Sequence, residues 1–483
     1  MSLLETGVVA LYLAILAILA AYGGHRSYLL HLYRRNRAQA GRSWIGRLDP
    51  LPPVTVQLPI YNERYVVERL IRAACALDYP GNLLEIQVLD DSDDGTTRIA
   101  ARVIAEMQRH GHDIRHVRRA SRAGFKAGAL AHGLRLARGE MIAILDADFV
   151  PAPGFLLDLI HAFSHPRVGM VQARWGHLNR DYSRLTRVQA ILLDGHFVIE
   201  HAARHRSGRF FNFNGTAGIW RRACIESAGG WQADTLTEDL DLSYRAQLAG
   251  WKFEFAPAVV VPAELPADID AVRAQQRRWA RGSIETARKI LPRLQRARLP
   301  LGAKIEALFH LTANASYLLL VALSFLIVPA MIVRQRAGLT MLALVDLPLV
   351  LFSTLSVALF YVAGQREIGR GWRSAARAVP GIMTFGIGLA INNARGVLLA
   401  FSGRSGEFVR TPKHDLRGTR GEWRLKYYRA PRSLGVNALE VLFGVYFGAA
   451  ALYAAFAGLA ASLPVLVLFL MGFFYRTAVL RRP

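Results

Sequence analysis

Two hydrophobic patterns divide the chain. Between Val54 and about Pro262 the apolar runs are short and alternate with amphipathic stretches. That alternation predicts βα units around a largely parallel sheet. Val54–Leu58, Glu85–Leu89, Ile114–Val117 and Met141–Leu145 read as its first strands. The last of these, bounded by Gly139-Glu140 and Pro151, reads as a strand buried on both faces. Elsewhere the apolar runs are long. Gly7–Gly24, His310–Val333, Thr340–Gly364, Gly435–Gly458 and Ala461–Phe474 predict five bilayer crossings. Ala378–Ser402 is apolar as well, but it carries Pro380, Asn392, Asn393 and Arg395 and is flanked by basic loops. It reads as interfacial or re-entrant. Leu291, Leu294, Leu299 and Leu301 in a basic stretch predict an amphipathic helix lying on the membrane.

The pattern sets three regions: an N-terminal anchor with a basic flank over 1–47, an α/β domain over 48–290, and membrane-associated helices over 291–483. Composition sharpens this. The 483 residues are 52% hydrophobic and carry a formal charge of +24. The basic residues crowd beside the apolar spans, as cytoplasmic flanks do, so the charge argues for membrane lipid rather than nucleic acid. Glu5 precedes the first span, and His25, Arg26, Arg34, Arg35 and Arg37 follow it. This predicts an uncleaved anchor whose following domain is cytoplasmic, with Arg476, Arg481 and Arg482 keeping the C-terminus on the same side. Cys75 and Cys224 share no short metal spacing and read as reduced core residues.

Candidate chemistry lies where strands end. Asp146 and Asp148 follow the fourth strand, at the end of an open α/β sheet where ligands bind. Paired carboxylates repel unless a cation or protons compensate. A hard divalent ion carrying a diphosphate meets that need, and a solvated acidic turn is the simpler alternative. Asp90 and Asp91 end the second strand, suited to base or ribose or to capping the helix at Thr96. Lys126 opens a helix and suits a phosphate, although a surface lysine has the same signature. Thr237-Glu238-Asp239 opens another helix, where acids also favour the dipole. Gln275, Arg278 and Trp279 share one helical face: a guanidinium for a diphosphate and an indole as a sugar platform. His196, Glu200, His201 and His205 lie at helical spacing, but not that of a zinc protease, and read as packing and surface residues.

Taken together, Asp90-Asp91, Asp146-Ala147-Asp148, Thr237-Glu238-Asp239 and Gln275-Gln276-Arg277-Arg278-Trp279 resemble the signature of processive family 2 glycosyltransferases, the cellulose, chitin and hyaluronan synthases. The likeness runs from about Val54 to Lys289 and leans towards the plant cellulose synthase-like A and C groups, through stretches such as Val171-Gln172-Ala173-Arg174-Trp175 and Phe213-Asn214-Gly215-Thr216-Ala217-Gly218. It implies a GT-A-type nucleotide-sugar domain followed by α-helical transmembrane segments. It implies that Asp90 and Asp91 hold the nucleotide, with Lys126 and Arg278 on the diphosphate. Asp146 and Asp148 would bind Mg²⁺ or Mn²⁺, Asp239 would be the general base, and Glu238, Gln275 and Trp279 would hold the acceptor. The implied reaction is inverting transfer of a hexose from UDP-glucose or GDP-mannose to a growing β-linked, β-1,4, polysaccharide at the plasma (inner) membrane, coupled to export. The alternative is a lipid-directed transferase that adds one or a few sugars to a glycolipid acceptor. Glu407-Phe408-Val409-Arg410-Thr411-Pro412-Lys413, within the loop 403–434, resembles the family's gating loop but places Arg410 before the threonine.

Overall fold

The computed structural model describes residues 2–39, 46–338, 343–403, 406, 409–424, 426–431 and 434–475. Arg404, Glu407, Phe408 and Arg432 of the gating-like loop and Arg476, Arg481 and Arg482 lie outside these described residues.

After helix α1 (Leu3–Arg35), the chain alternates as the short apolar runs require: β1 (Val54–Ile60), α2 (Val67–Cys75), β2 (Leu84–Asp90), α3 (Thr96–Arg109), β3 (Ile114–Val117), α4 (Phe125–Leu136) and β4 (Met141–Ile144). Then come α5 (Phe155–Ile160), β5 (Val168–His177), α6 (Arg184–Asp194), α7 (Ala202–Arg206), β6 (Gly218–Arg221), α8 (Arg222–Ser227), α9 (Glu238–Leu248), β7 (Lys252–Ala263) and α10 (Ile269–Arg296). The strands form one sheet in the order β3-β2-β1-β4-β6-β5-β7. All neighbours pair in parallel except β6, which runs antiparallel to β4 and β5. The chain winds from β1 outward to β3, then returns across β1 to β4. The crevice between β1 and β4 is therefore a topological switch point, where such sheets bind ligands. β1, β2 and β4 are buried almost throughout; β4 runs apolar without alternation, while β1 and β2 alternate and bury polar side chains that bond each other, Thr55 to Glu85 at 2.7 Å and Gln57 to Gln87 at 3.1 Å. Reversal of β6 has a local consequence: Gly218 pairs with Ile144, which brings the loop before Gly218 beside the acids that end β4.

The remaining helices are α11 (Leu301–Thr312), α12 (Ser316–Arg336), α13 (Ala343–Glu367), α14 (Trp372–Gly388), α15 (Ala390–Leu399), α16 (Leu434–Phe456) and α17 (Leu463–Phe473). Among the described residues, four helical stretches are long and apolar enough to cross a membrane: Leu3–Arg35, Leu301–Arg336, Val345–Glu367 and Leu434–Phe456. The chain is thus an integral membrane protein in build. α14 and α15 form a pair bent by 44°. α1 crosses α13 closely because Gly23 faces Ser353 and Gly24 faces Phe352, where any Cβ would collide.

Two expectations are corrected. Ala461–Phe474, expected as a fifth crossing, is among the described residues only a short apolar helix at Ala460–Phe473. Of the leucines expected to lie on the membrane, Leu301 is exposed, but the others pack inside the protein. Leu294 packs with Leu240, Tyr244, Ile290 and Leu311, and Leu291 and Leu299 lean on the same cluster. The stripe welds α10 to α9 and α11, because a tertiary partner was available for the same amphipathic face.

Candidate active site

Asp146 and Asp148 sit just past the carboxyl end of β4. The loop before β6 secures the first of them: Asp146 N–H donates to Thr216 Oγ1 at 2.8 Å. Lys126, at the start of α4, donates to Asp146 Oδ1 at 2.5 Å and to the Gly215 carbonyl at 2.9 Å. Gly215 has φ of 81°, and a Cβ there would lie 3.1 Å from Asp239 Oδ2. Only glycine both adopts that backbone without strain and leaves the carboxylate its space. Asp239 opens α9 and is pinned to α10 by its neighbours: Leu236 N–H donates to Glu285 Oε2 at 3.0 Å, and Thr237 Oγ1 lies 3.1 Å from Thr286 Oγ1.

Lys126, Asp146, Gly215 and Asp239 line a cavity of about 520 Å³ together with Asp91, Asp148, Glu238, Gln275, Arg278 and Trp279. The structure thus brings nine sequence-expected site residues to one cavity. Asp90 is set apart. It is 2% exposed, accepts from Ser92 N–H at 2.8 Å and lies 2.9 Å from His116 Nε2. Asp91 reaches the cavity wall and is held in a two-point grip by Arg119 at 2.7 and 2.5 Å.

Electrostatics divide the acids. Burial, and then the Glu238 charge beside it, push the Asp239 carboxyl up to about 7, against the pull of Lys126 and Arg278. Burial works against the Lys126 ammonium, but Asp146, Glu238 and Asp239 outweigh it and hold its pKa above the ordinary value. Burial lowers the Arg278 pKa, with Glu238, Asp239 and Asp146 opposing, yet a guanidinium stays charged. A carboxyl near neutrality can take up a proton, and two fixed cations beside it can receive an anion.

No group of three or more His, Cys, Asp or Glu side chains converges for metal binding among the described residues. The pair Asp146 and Asp148 still fits a hard divalent ion that takes its other oxygens from a diphosphate. Each of these carboxylates already holds a cation, Lys126 on Asp146 and Lys413 on Asp148, both at 2.5 Å.

Two pairs of residues were not placed at this cavity by sequence reasoning. Lys413 and Arg410 reach the cavity from the loop before α16, and their partners lie hundreds of residues away, so no local spacing announces them. His196 and Glu200 line the cavity, which corrects their reading as packing and surface residues. Residues Gly195–His201 form a π-helical turn, so a 3.6-residue period misplaces their faces. Asn214 donates to His196 Nε2 at 2.9 Å and accepts from His201 Nε2 at 2.7 Å, so this turn steadies the loop that carries Gly215.

A parallel sheet with its acids at a switch point, a basic residue at a helix start and a carboxylate near neutrality define a GT-A-type transferase domain. Residues 52–282 match the family described as "Glycosyltransferase like family 2". That segment is a family 2 glycosyltransferase domain. The chain is 45% identical over 252 residues to glucomannan 4-beta-mannosyltransferase 2 of Arabidopsis thaliana, covering 51% of this chain and 47% of that one. It is 39% identical over 290 residues to glucomannan 4-beta-mannosyltransferase 1 of Oryza sativa subsp. japonica, covering 58% and 56%. The chain therefore spans about half the length of the curated relatives it matches. In fold it is similar to a mannosyltransferase from Pyrobaculum calidifontis solved with GDP-Man and Mn2+, with a TM-score of 0.52 and 21% identity over 82% of this chain and 100% of that one.

Proposed function

We propose that this protein is an inverting β-1,4-mannosyltransferase that uses GDP-mannose and a divalent cation to extend a β-linked glycan at the membrane. The observation that carries the reading is Asp239: a carboxylate pushed up to about 7, facing the cavity beside Lys126, Asp146 and Arg278, within a segment similar to named mannosyltransferases.

In this reading the acceptor sugar stacks on Trp279 with Gln275 and Glu238 at its hydroxyls. Asp239 takes the proton from the acceptor hydroxyl as that oxygen bonds to the anomeric carbon from the face opposite the diphosphate. The anomeric carbon–oxygen bond to GDP breaks, and its electron pair leaves with the nucleotide. An α-linked donor therefore gives a β-linkage. Lys126 and Arg278 stabilise the charge that grows on the leaving diphosphate. Asp146 and Asp148 would hold Mg²⁺ or Mn²⁺, which supplies Lewis-acid neutralisation of that diphosphate when bound. Asp91 and Asp90 shape the nucleotide end, Asp91 directly and Asp90 through His116 and Ser92.

The basic flanks support a cytoplasmic catalytic domain. A second cavity of about 610 Å³ lies among α1, α12, α13, α14 and α17 and shares Arg26, Glu200, Gln276 and Tyr317 with the catalytic one, which supports an exit path for product.

The test is incorporation of labelled mannose from GDP-mannose by the full chain in lipid nanodiscs, followed by digestion with an endo-β-1,4-mannanase. Release of label as short oligosaccharides is expected. Incorporation from UDP-glucose alone, or a lipid-extractable product resistant to the mannanase, would overturn the sugar and the acceptor respectively.

A further inference from the structure

The reaction leaves a buried charged cluster without a role. Glu200, in the π-helical turn, meets donors from three elements: Arg26 Nη1 of α1 at 3.1 Å, His196 Nδ1 of its own turn at 3.0 Å and Arg204 Nη1 of α7 at 3.4 Å. Arg204 also donates through Nε to Glu306 Oε1 at 3.0 Å, and Glu306 Oε2 lies 2.8 Å from Nε2 of His25, the residue before Arg26. Two adjacent residues of α1 therefore hold the cluster by separate routes. Burial would raise the Glu200 pKa, but the His196 hydrogen bond and the charges of Arg204, His196 and Arg26 take it well below the ordinary carboxylate range. Arg26 is fixed in turn by α13, where its guanidinium lies 5.0 Å from the Phe360 ring centre and 5.2 Å from that of Tyr361.

One backbone carbonyl sets the order of protons between this cluster and the catalytic loop. Burial holds the His201 pKa well below its ordinary value, so the ring is neutral and carries one N–H. Its Nε2 lies 3.0 Å from the Asn212 carbonyl, which can only accept, so Nε2 bears the proton. The Asn214 atom 2.7 Å from that nitrogen is then Oδ1. Asn214 Nδ2 is left to donate to His196 Nε2 at 2.9 Å, and His196 Nδ1–H donates to Glu200. Asn214 precedes Gly215, whose carbonyl accepts from Lys126, and Lys126 rests on Asp146. An ordered relay of contacts runs from Arg26 in the membrane helix to the lysine on the diphosphate side of the cavity.

We propose that Arg26 and Glu200 are positioning residues of the transferase: through His196 and Asn214 they fix the Gly215 carbonyl that aims Lys126, so α1 serves the reaction as well as the membrane. The proposal rests on the reading of Lys126 as a diphosphate group. Without Arg26, Glu200 keeps Arg204 but loses the shorter of its two guanidinium contacts. The carboxylate and His196 are then free to turn, Asn214 loses its acceptor, and the Gly215 carbonyl shifts under Lys126. A misplacement of about 1 Å costs roughly 10²-fold in rate.

The test compares Arg26→Met, Arg26→Lys and Ser27→Ala in the full chain in lipid nanodiscs. Ser27 Oγ lies 2.6 Å from Ser356 Oγ of α13, so its variant disturbs the seating of α1 without touching the relay. Hydrogen–deuterium exchange, read by mass spectrometry with no sugar donor present, should quicken in the peptide from Phe211 to Ala217 in Arg26→Met, while the β1 and β4 peptides keep their protection. Ser27→Ala should leave that peptide unchanged. Transfer by Arg26→Met should fall about tenfold to a hundredfold in kcat/KM, and Arg26→Lys, which returns a cation to Glu200, should recover most of it. The acid limb of the Arg26→Met pH profile should also move to higher pH. Burial and Glu238 raise the Asp239 pKa while Lys126 and Arg278 oppose them, and a displaced Lys126 opposes less. A merely structural loss would lower the plateau and leave the limb in place. Unchanged exchange from Phe211 to Ala217 in Arg26→Met, an equal change in Ser27→Ala, or no recovery with lysine would each overturn the proposal. If Arg26→Met fails to fold, Arg26→Gln decides by the same readouts. Full-rate transfer by Arg26→Met overturns the positioning role and leaves the proposed function standing. Locally faster exchange, with no transfer from any donor by the unmodified chain, breaks the proposed function alone.

Discussion

Asp194 ends α6 and Asp239 opens α9, and each lies among charged side chains in the same domain. Asp194 is 3% exposed. It faces His177 Nε2 at 3.3 Å, Arg180 Nη1 at 2.5 Å and Gln365 Nε2 at 2.8 Å. Burial alone would raise its pKa, but the His177 hydrogen bond and the neighbouring positive charge take it down to about 2. Asp239 takes a backbone hydrogen bond from Leu240 at 2.9 Å, its nearest cations are shared with Asp146 and Glu238, and it is pushed up to about 7. The contrast separates two uses of a buried charge. A carboxylate that is fully met by donors fastens elements together, here α6 to α13 through Gln365. One left short of donors stays ready to take a proton.

The comparison can be broken most severely at the metal carboxylate. Asp148→Ala should bring transfer below detection while the protein still folds, measured as mannose incorporation across a Mn²⁺ series; full activity of that variant in EDTA would remove Asp148 from the site. Asp239→Asn keeps the shape but removes the proton acceptor, so kcat should fall about 10²–10⁴-fold. Binding of GDP-mannose by calorimetry should change little. Asp194→Ala is expected to act the other way round. Removing one partner of a buried ion pair costs about 3–5 kcal/mol of stability, read as a lower denaturation midpoint, while activity per folded molecule stays within a few-fold.

The pH dependence gives the smallest effect and separates the two acids by sign. Below about 7 Asp239 is protonated and cannot accept a proton, so kcat/KM should rise with pH and level off above it. At one unit below, activity should be about tenfold under the plateau. Asp194, whose pKa is depressed, contributes stability that is present above about 4. It is lost as pH falls towards about 2, so its unfolding signature should appear only in acid. An activity profile flat between pH 5 and 8 would move the base to another residue, Glu238 or Asp241 first.

Of the sheet's first four strands, β4 was legible as a plain apolar run and β1 and β2 as short alternating ones, and the acids Asp91 and Asp146 stand where such strands end. The reversed β6 was not, since the four residues Gly218–Arg221 carry no signal of direction; only pairing with Ile144 sets it. The acceptor face was legible because Gln275, Arg278 and Trp279 share one α-helix, for which the period holds. His196 and Glu200 were misread because a π-helical turn breaks that period. Lys413 could not be placed on Asp148 from sequence, because no pattern constrains two residues separated by 265 positions. The leucines near 291 showed an amphipathic stripe correctly but not what covers it, since water, lipid and α9 all leave the same periodicity.

Helix α10 runs 28 residues without a break, a rod of roughly 42 Å. Its abutments are made late. Arg273 is tied to Asn437 at 2.7 Å and to Glu440 at 2.5 Å, Asn392 donates to the Arg273 carbonyl at 2.9 Å, and Gly396 presses on the Arg277 carbonyl. On the ribosome, the donor acids and Asp239 emerge well before any of these supports exist. The rod that carries Trp279 packs first on α9 and α11, and its braces at Arg273 and Arg277 are added only after α15 and α16 have been synthesised. Birth order thus leaves the support behind the acceptor face to α15 and α16.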